Sequence, residues 1–304
     1  MKIYSISNDF IDIRIDKWIK LNICKVPQGL IEKNLRNKNI TVNFKKIKSS
    51  YKLKINDKVY LNNFNPKTIN IKLKKKFTPS KSDIKDSKAF IIEDNENFCV
   101  INKPFGLPVQ GGSKITKNLI DLVSSNPIFH DAKPYIVHRI DKDTSGILII
   151  AKNKKYAQLL TSLFRIRKIH KTYLCVCSGE IEKSEGLLED NLIRFEKNKK
   201  IVEKAITKFK VIDKNKGGTL LVLNPITGRK HQLRKQLSIF GFPVIGDTKY
   251  NYLIKGYRKN NRLMLHAYSI KFKINEKKYT FFVDIPDHFK KVLLIKKLNL
   301  HKNF

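Results

Sequence analysis

Cysteine is scarce in this 304-residue chain, which contains only Cys24, Cys99, Cys175 and Cys177. They are too few and too widely scattered to form the disulfide framework of a small secreted protein. Cys175 and Cys177 are two residues apart and would share one face of a strand. Because neither a second cysteine pair nor a histidine pair accompanies them, we expect small buried apolar side chains rather than zinc ligands.

Long apolar runs are also missing from the sequence. The first residues, MKIYSISNDFIDIRID, lack the apolar core that a secretory signal needs. The longest apolar stretch, GILIIA at 146–151, is far shorter than the roughly 18 residues that a membrane-spanning helix requires. The sequence therefore predicts a cytoplasmic protein without a membrane segment.

Acidic residues are few relative to basic ones. Asp and Glu number 26 against 63 Lys and Arg, which gives a formal net charge of +37. Hydrophobic residues make up 41% of the chain, so it is a folded protein and not a basic disordered tail. This charge predicts a polyanionic partner, with nucleic acid favoured over an anionic membrane surface. At roughly 150 residues per domain, the length suggests about two domains.

Residues 12–62 have the pattern of a small α/β module. Apolar residues recur at helical spacing in the first half and alternate with polar residues in the second. The polar positions are crowded with cations, which favours an RNA-binding face over a merely solvated one. The residues expected to carry that face are Arg14, Lys17, Lys33, Arg36, Lys45 and Lys46. Residues 63–88, rich in Lys and Ser, predict a basic linker.

Residues 89–290 predict a second, larger domain. Its strand patterns come in runs and do not alternate strictly with helices, which favours an α+β domain with a mixed, mostly antiparallel β-sheet. Two stretches resemble ligand-binding loops, but each lacks a residue that its ligand requires. The one at 106–113 has Gly112 where a phosphate-binding lysine is needed, and the one at 141–152 ends in Lys152 where calcium needs a glutamate. The charged stretch 180–203 gives no functional signal.

A polar loop between two apolar strands, at 138–145, carries the main chemical signal. It places Asp141 among cations on a protein that has reason to keep carboxylates away from phosphates. The local pattern leaves two interpretations open, a structural aspartate that caps its own loop and a catalytic carboxylate. Stretches at 102–112, 164–173 and 227–236 add cations and a tyrosine, which suit phosphate contacts and base stacking.

Several motifs follow one another in an order typical of a known family. KPFGLPVQGG, HRIDKDTSG, KTY, TGRKHQLR with GFPVIGD, and RLMLHA occur in turn. HRIDKDTSG is similar to the HRLD-x-x-TSG signature of the RluA class of pseudouridine synthases, and the other motifs resemble those of the same class. The first segment resembles the alpha-L RNA-binding domain of ribosomal small-subunit protein four. Its VPxxxIxxxLR pattern is most similar to large-subunit rRNA synthases of the RluC type.

This resemblance implies an enzyme that isomerises uridine in RNA to pseudouridine, without cofactor or metal. The catalytic residues implied are Asp141, Arg234 and Tyr173. Asp141 aligns with the essential aspartate of the class, Arg234 with the arginine that pairs with it, and Tyr173 with the tyrosine that stacks on the base and can serve in proton transfer. Leu265 aligns with an apolar wall of the base pocket, and Arg139 with an arginine that replaces the flipped-out base in the RNA stack. The other substrate-binding residues implied are Lys103, His138, Lys171, Arg229, His231 and Gln232.

The resemblance leaves the role of the aspartate open between attack on the sugar, addition to the ring and removal of a ribose proton. Ile140 replaces the usual Leu of the class and Gln110 a common His, and we expect neither to abolish activity. The expected partner is large-subunit rRNA or a ribosomal precursor particle, and the expected state is a monomer.

Two other functions compete with this interpretation. One is a non-catalytic RNA-binding factor for ribosome assembly, which would use both domains as a clamp. The other is a magnesium phosphotransferase, faintly suggested by DKDTS and GDTKYN. The phosphotransferase would need a doubly wound sheet, which the order of strands does not favour, and its activity would depend on metal.

Overall fold

The computed structural model describes residues 1–24, 26–62, 64, 77–111, 117–130, 132–196, 199–251 and 262–300. Most of the predicted linker up to residue 76, and Gly112 of the rejected phosphate loop, lie outside the described residues. The chain divides into two compact units, Met1–Lys75 and Lys76–Phe304, each with a hydrophobic core of its own. No helix among the described residues is both long enough and apolar enough to cross a bilayer.

The first unit combines two helices with a three-stranded antiparallel sheet of order β1-β3-β2. Its elements are β1 (Lys2–Ser5), α1 (Ile15–Asn22), α2 (Gln28–Arg36), β2 (Ile40–Val42) and β3 (Lys58–Leu61). Ile15, Trp18 and Ile19 recur at helical spacing, are almost fully buried, and share one core with Ile31 and Leu35 of α2. Because β1 pairs with β3, this unit starts before the predicted boundary at residue 12.

The second unit is an α+β fold built on one ten-stranded sheet. Its strands are β4 (Ile91–Asp94), β5 (Phe98–Lys103), β6 (Tyr135–Ile136), β7 (Ser145–Ala151), β8 (His170–Ser178), β9 (Glu185–Glu196), β10 (Lys199–Asn215), β11 (Gly218–Pro225), β12 (Leu265–Ile274) and β13 (Lys277–Phe282). Its helices are α3 (Lys81–Lys88), α4 (Leu119–Ser124), α5 (Lys154–Arg165), α6 (Gln232–Ile239) and α7 (Asp287–Lys296).

The sheet runs in the order β4-β5-β7-β12-β8-β11-β10-β9, with β6 paired to β7 and β13 to β12. Within the part of the chain that the structure describes, every strand pair is antiparallel except β7 with β12. This confirms the mixed, mostly antiparallel α+β fold class predicted from the sequence. Cys175 and Cys177 of β8 are fully buried in the core, as their spacing predicted.

The close approach of β7 and β12 fixes the end of the polar loop. Ser145 and Gly146 pair with His266 and Ala267, and Ser145 Oγ lies 2.8 Å from His266 Nδ1. Gly146 has a φ of +109°, and a Cβ there would lie 2.2 Å from the Ala267 carbonyl oxygen. Only glycine fits this position, so the TSG sequence that follows the loop has a steric cause.

The predicted domain ends need correction at two places. Residues 81–88, taken as part of the linker, form α3, which begins with a capping box between Ser80 and Asp83. Its Ser87 is fully buried and accepts a hydrogen bond from Asn126. At the other end, α7 continues past residue 290, and Leu293 is buried in the core. Helix α3 contains few apolar residues, so the amino-acid composition of this stretch does not distinguish a helix from a polar linker.

Candidate active site

A cavity of about 860 Å³ opens in the second unit at the polar loop before β7. Its wall is formed by residues 108–110, this loop, the C-terminal end of α5, the start of β8, residues 225–234 and the first residue of β12. Every catalytic or substrate-binding residue predicted for this domain lines the cavity, except Lys103. These lining residues are His138, Arg139, Asp141, Lys171, Tyr173, Arg229, His231, Gln232, Arg234 and Leu265.

Asp141 lies in the loop that joins β6 to β7. Its main-chain carbonyl accepts a hydrogen bond from Thr144 N at 3.2 Å, which closes the turn. Its carboxylate is turned the other way, with Oδ2 3.5 Å from Arg234 Nη1 and Oδ1 3.6 Å from His231 Nε2. Among the described residues no backbone amide donates to this carboxylate, so the side chain does not cap its own loop. The side chain is 26% exposed and can be reached from the cavity.

Arg234 is held in place by a second carboxylate, that of Asp247. Its Nε and Nη2 donate to Asp247 Oδ2 and Oδ1 at 2.6 and 2.8 Å, and both side chains are almost fully buried. Burial opposes the charge of Asp247, but Arg234 and the backbone amides of Lys249 and Tyr250 outweigh it and lower the pKa of Asp247. This arrangement fixes the guanidinium rigidly and aims its Nη1 at Asp141.

Gly246, the residue before this aspartate, lets the backbone of Arg262 approach closely. Its φ is +85°, and a Cβ there would lie 2.0 Å from the carbonyl oxygen of Arg262. The chain therefore needs glycine at position 246 for its backbone conformation, and it needs Asp247 for the ion pair with Arg234.

His231 stands at the start of α6 with a left-handed backbone, φ +55°. Its Nδ1 lies 2.8 Å from the Tyr250 hydroxyl, and the Tyr250 ring also lies under the Arg234 guanidinium, 5.1 Å from its centre. Burial lowers the pKa of His231 against the opposing effect of Asp141. In the neutral ring a proton on Nε2 faces Asp141, and Nδ1 then accepts from Tyr250.

Tyr173 and Leu265 belong to the apolar part of the wall. Tyr173 in β8 pairs with Ala267 of β12, and Leu265 pairs with Cys175, so both side chains come from neighbouring strands. Burial, helped by the charge of Asp141, raises the pKa of Tyr173 well above its usual value, and its hydroxyl is protonated at neutral pH. Lys171, two residues earlier on the same strand, has its pKa lowered to about 8 by burial.

His138 lines the cavity, but its ring is used by the protein itself. Its Nε2 accepts a hydrogen bond from the Ile149 amide at 2.9 Å, and the ring stacks on Phe164 with 4.4 Å between centres. Burial, followed by the charge of Lys171, lowers the pKa of His138 to about 3, so the ring is neutral. His138 therefore ties the loop to β7 through Nε2, and its predicted contact with the substrate from the cavity wall stays a prediction.

Lys103 does not reach the cavity and is fully buried. Its Nζ donates to the carbonyls of Pro104, Leu107 and Lys142 at 2.8–2.9 Å, which uses all three of its protons. Burial lowers its pKa to about 7, although Asp143 and Asp141 favour the charge. Its predicted role in substrate binding is therefore wrong: Lys103 joins the loop after β5 to the loop that carries Asp141.

Gln232 is also fully engaged inside the protein. Its amide donates to Ile206 O and Thr207 Oγ1, and its oxygen accepts from Thr227 Oγ1 and the Arg229 amide. No hydrogen-bonding capacity is left for a ligand, so this prediction too is corrected to a structural role. The network fixes the turn before α6 to β10.

Arg229 is anchored at the cavity edge by β10. Its Nη1 lies 3.2 Å from Glu203 Oε1, and its Nε donates to the Lys204 carbonyl. Glu203 also binds Arg194 of β9. Arg139, by contrast, is exposed at the opening of the cavity.

In the first unit, five of the six cations predicted to bind RNA are exposed and lack a recorded acidic partner among the described residues. These are Lys17, Lys33, Arg36, Lys45 and Lys46. Arg14 differs, because its guanidinium binds both carboxylate oxygens of the buried Asp16, at 3.1 and 2.6 Å. Arg14 is therefore less available to a phosphate than the sequence predicted. Nowhere in the described ranges do three His, Cys, Asp or Glu side chains form a possible metal site.

Comparison with known proteins places this geometry in a family. Residues 97–239 match the family model of RNA pseudouridylate synthase. A ribosomal large subunit pseudouridine synthase C of Rickettsia felis is 36% identical over 281 residues, which cover 86% of this chain and 89% of that protein. The chain belongs to the RNA pseudouridylate synthase family. A synthase C of Vibrio vulnificus is 31% identical over 90% of this chain and 88% of its own length.

Solved structures agree with this assignment. Human RNA pseudouridylate synthase domain containing 4 superposes with a TM-score of 0.62 at 27% identity, over 72% of this chain and 98% of that one. Human RNA pseudouridylate synthase domain containing 1 shares the fold, with a TM-score of 0.54 at 24% identity. The family resemblance and the enzyme class predicted from the sequence motifs are thus confirmed.

The geometry of this pseudouridine synthase adds two residues to which the sequence assigned no role. Asp247 is the last residue of the GFPVIGD stretch, and its place in that motif was the one signal that could have found it. Glu203 lies at the end of the charged stretch 180–203, where nothing in the pattern distinguishes it from its charged neighbours. Both act through an arginine of the cavity wall, and neither lines the cavity itself.

Proposed function

We propose that this enzyme converts uridines of large-subunit ribosomal RNA to pseudouridine, with Asp141 as the catalytic carboxylate. The synthase C relatives support the choice of RNA, since their names specify the large ribosomal subunit. The observation that carries the assignment of Asp141 is its carboxylate, aimed into a cationic cavity and placed 3.5 Å from a guanidinium that a second carboxylate holds still.

The cavity suits a single flipped-out nucleotide. Its volume of about 860 Å³ lies in the range of small-ligand sites. Tyr173 and Leu265 offer flat and apolar surfaces to a base, and the rim offers cations to its phosphates. In this proposal the exposed Arg139 occupies the gap that the flipped base leaves in the RNA.

The reaction breaks the bond between C1′ and N1, turns the uracil, and forms a bond between C1′ and C5. The hydrogen on C5 leaves as a proton, and N1 gains one, so the reaction is an isomerisation without net oxidation. Each possible role of Asp141 needs its carboxylate beside the flipped nucleotide, and Arg234, 3.5 Å away, helps to hold it there. Tyr173 lies in the wall of the cavity, where its ring stacks on the base and its hydroxyl is a candidate group for proton transfer.

The first unit supplies a second RNA contact in this proposal, through the exposed Lys17, Lys33, Arg36, Lys45 and Lys46. It functions as an alpha-L type of RNA-binding domain. The substrate is large-subunit rRNA, either free or within a precursor particle.

The test uses large-subunit rRNA carrying tritium at uracil C5, incubated with the enzyme in EDTA and without cofactor. Release of tritium by the wild type, and its loss in Asp141→Asn with unchanged RNA affinity, is the expected result. Release by Asp141→Asn at the wild-type rate would remove Asp141 from the chemistry. Binding without release from either naked rRNA or precursor particles would favour a non-catalytic assembly factor.

A further inference from the structure

A strained turn in the first unit presents an aromatic ring to solvent. Asn43 and Phe44 have φ angles of +47° and +60°. Val42 and Lys45 on either side exchange both backbone hydrogen bonds, at 2.8 and 3.2 Å. This is a two-residue turn with both central residues left-handed, the type whose second position glycine normally occupies. A phenylalanine there costs free energy, because its Cβ crowds the backbone.

The turn is fixed by side-chain hydrogen bonds from its first residue. Asn43 Nδ2 donates to Asp57 Oδ1 at 2.8 Å, and Asn43 Oδ1 accepts from the Lys58 amide at 2.9 Å. Asp57 is buried and also accepts from the Tyr51 hydroxyl and the Lys54 amide. Asn43 accounts for the strained backbone, but Phe44 contributes nothing to this network.

The ring of Phe44 is not part of the core. It is 69% exposed, whereas Tyr60, on which it lies, is 6% exposed. The two ring centres are 3.9 Å apart with planes inclined at 31°. Tyr60 therefore supports one side of the Phe44 ring and sets its orientation, and the opposite side faces solvent. The contact with Tyr60 accounts for one side of the ring only, and it does not explain why the other side is exposed on a strained turn.

The charges beside the ring indicate what kind of ligand would bind over its exposed side. Lys45 and Lys46 follow it in the chain and Lys58 holds the turn through its amide, and all three side chains are exposed. The acidic group in the turn network, Asp57, is buried. Aromatic rings among cations are the means by which proteins hold unpaired nucleotides, since the ring stacks on a base and the cations bind its phosphates.

We propose that Phe44 stacks on an unpaired base of the RNA substrate while Lys45, Lys46 and Lys58 bind the adjoining phosphates. This inference rests on the proposed function in taking RNA as the ligand, and it adds a base contact remote in sequence from the catalytic loop. The strained turn keeps the ring pre-oriented, so little freedom is lost on binding.

The decisive variant is Phe44→Gly, which relieves the strained backbone and removes the ring. It should unfold at the same or a higher urea concentration than the wild type. Its dissociation constant for large-subunit rRNA should rise between about fivefold and a hundredfold, the effect of losing one stacked base. Affinity for a blunt RNA duplex should not change. Phe44→Leu, equally strained and apolar but without a π-face, should lose affinity like Phe44→Gly, and Phe44→Tyr should retain it.

The matched control is Phe282→Ser, which removes a phenylalanine of similar exposure, 65%, from β13. It should leave RNA affinity unchanged. Phe44→Trp gives a direct signal, because the single native tryptophan, Trp18, is 3% exposed. Emission from the introduced indole should be quenched when single-stranded RNA binds.

Unchanged affinity of Phe44→Gly, an equal loss in Phe282→Ser, or an equal loss on the duplex would each overturn the proposal. Failure of the wild type to bind RNA would overturn it as well. All these measurements follow binding without turnover, so an absence of tritium release would contradict the proposed catalysis and leave this result intact.

Discussion

Arg234 reaches Asp141 with the one terminal nitrogen that its ion pair with Asp247 does not use. Nε and Nη2 bind Asp247 at 2.6 and 2.8 Å, while Nη1 lies 3.5 Å from Asp141 Oδ2. The arginine therefore joins a buried structural carboxylate to one that faces the cavity. The longer contact leaves Asp141 free to move during a reaction, and the shorter pair keeps the positive charge in place.

Replacing Asp247 by alanine should destabilise the protein by about 3–5 kcal/mol, because the buried charge of Arg234 loses its partner. Urea unfolding measures this cost, and tritium release should fall with it. Glu189→Ala is the control, since Glu189 and Lys204 form a surface pair that is about half exposed and contributes about 1 kcal/mol or less. Similar losses of stability in the two variants would contradict the inference that Asp247 is the buried partner that stabilises Arg234.

Gly146→Ala should destabilise the protein by about 3 kcal/mol or more, since the new methyl group collides with the Ala267 carbonyl. Gly217→Ala provides the comparison. Gly217 also has a positive φ, +64°, but open space around it, so the substitution should cost about 1 kcal/mol. Thermal or urea unfolding distinguishes the two, and equal costs would mean that β7 and β12 can separate locally.

Lys103→Met should cost about 2–4 kcal/mol of stability, because three carbonyl oxygens lose a charged donor. RNA affinity of the folded variant should equal that of the wild type, since Lys103 does not line the cavity. The measurements are urea unfolding and filter binding. A large loss of affinity without loss of stability would restore the role in substrate binding that the sequence suggested.

Catalysis should weaken as pH rises through about 8. Burial lowers the pKa of Lys171 to about 8, so this cation of the cavity wall loses its charge there, well below the usual lysine range. The alkaline fall in kcat/KM for tritium release should therefore move upward in Lys171→Arg, which stays charged. Titration of the uridine itself affects the wild type and Lys171→Arg equally, so it does not contribute to a difference between their pH profiles. Superimposable pH profiles would assign the fall to another group.

RNA affinity should depend steeply on salt. If about six phosphates are neutralised, affinity should fall about a thousandfold between 50 and 200 mM salt. Lys33→Ala should reduce the slope by about one unit. Arg14→Ala should reduce it less, since Asp16 already occupies that guanidinium. Equal effects would show that Arg14 leaves Asp16 when RNA binds.

The sequence motifs predicted which residues meet at the cavity, because each motif is a short stretch with its own local geometry. The loop around Asp141 and the turn before α6 are two such stretches. The fold class and the family were confirmed, while the roles of Asp141, Tyr173 and the exposed cations remain predictions.

Three ligand assignments depended on information that a sequence does not contain. A lysine, a histidine or a glutamine in a motif shows a donor or acceptor, but not which partner uses it. In the structure, Lys103 and Gln232 use these groups, and His138 its Nε2, on main-chain and hydroxyl partners, half of them more than ten residues away in sequence. Asp247 was missed for the same reason, because its partner lies 13 residues away on another element.

The parallel pairing of β7 with β12 also determines when the enzyme can first act. Ser145 and His266 are 121 residues apart, so ribosomal synthesis at about 5–20 residues per second separates them by about 6–24 s. Until β12 emerges, the loop with Asp141 lacks the strand that closes against it and the Leu265 wall. The basic first unit is thus complete on the ribosome well before the wall of the active-site cavity is, and a nascent chain carries its cationic surface before it can modify a base.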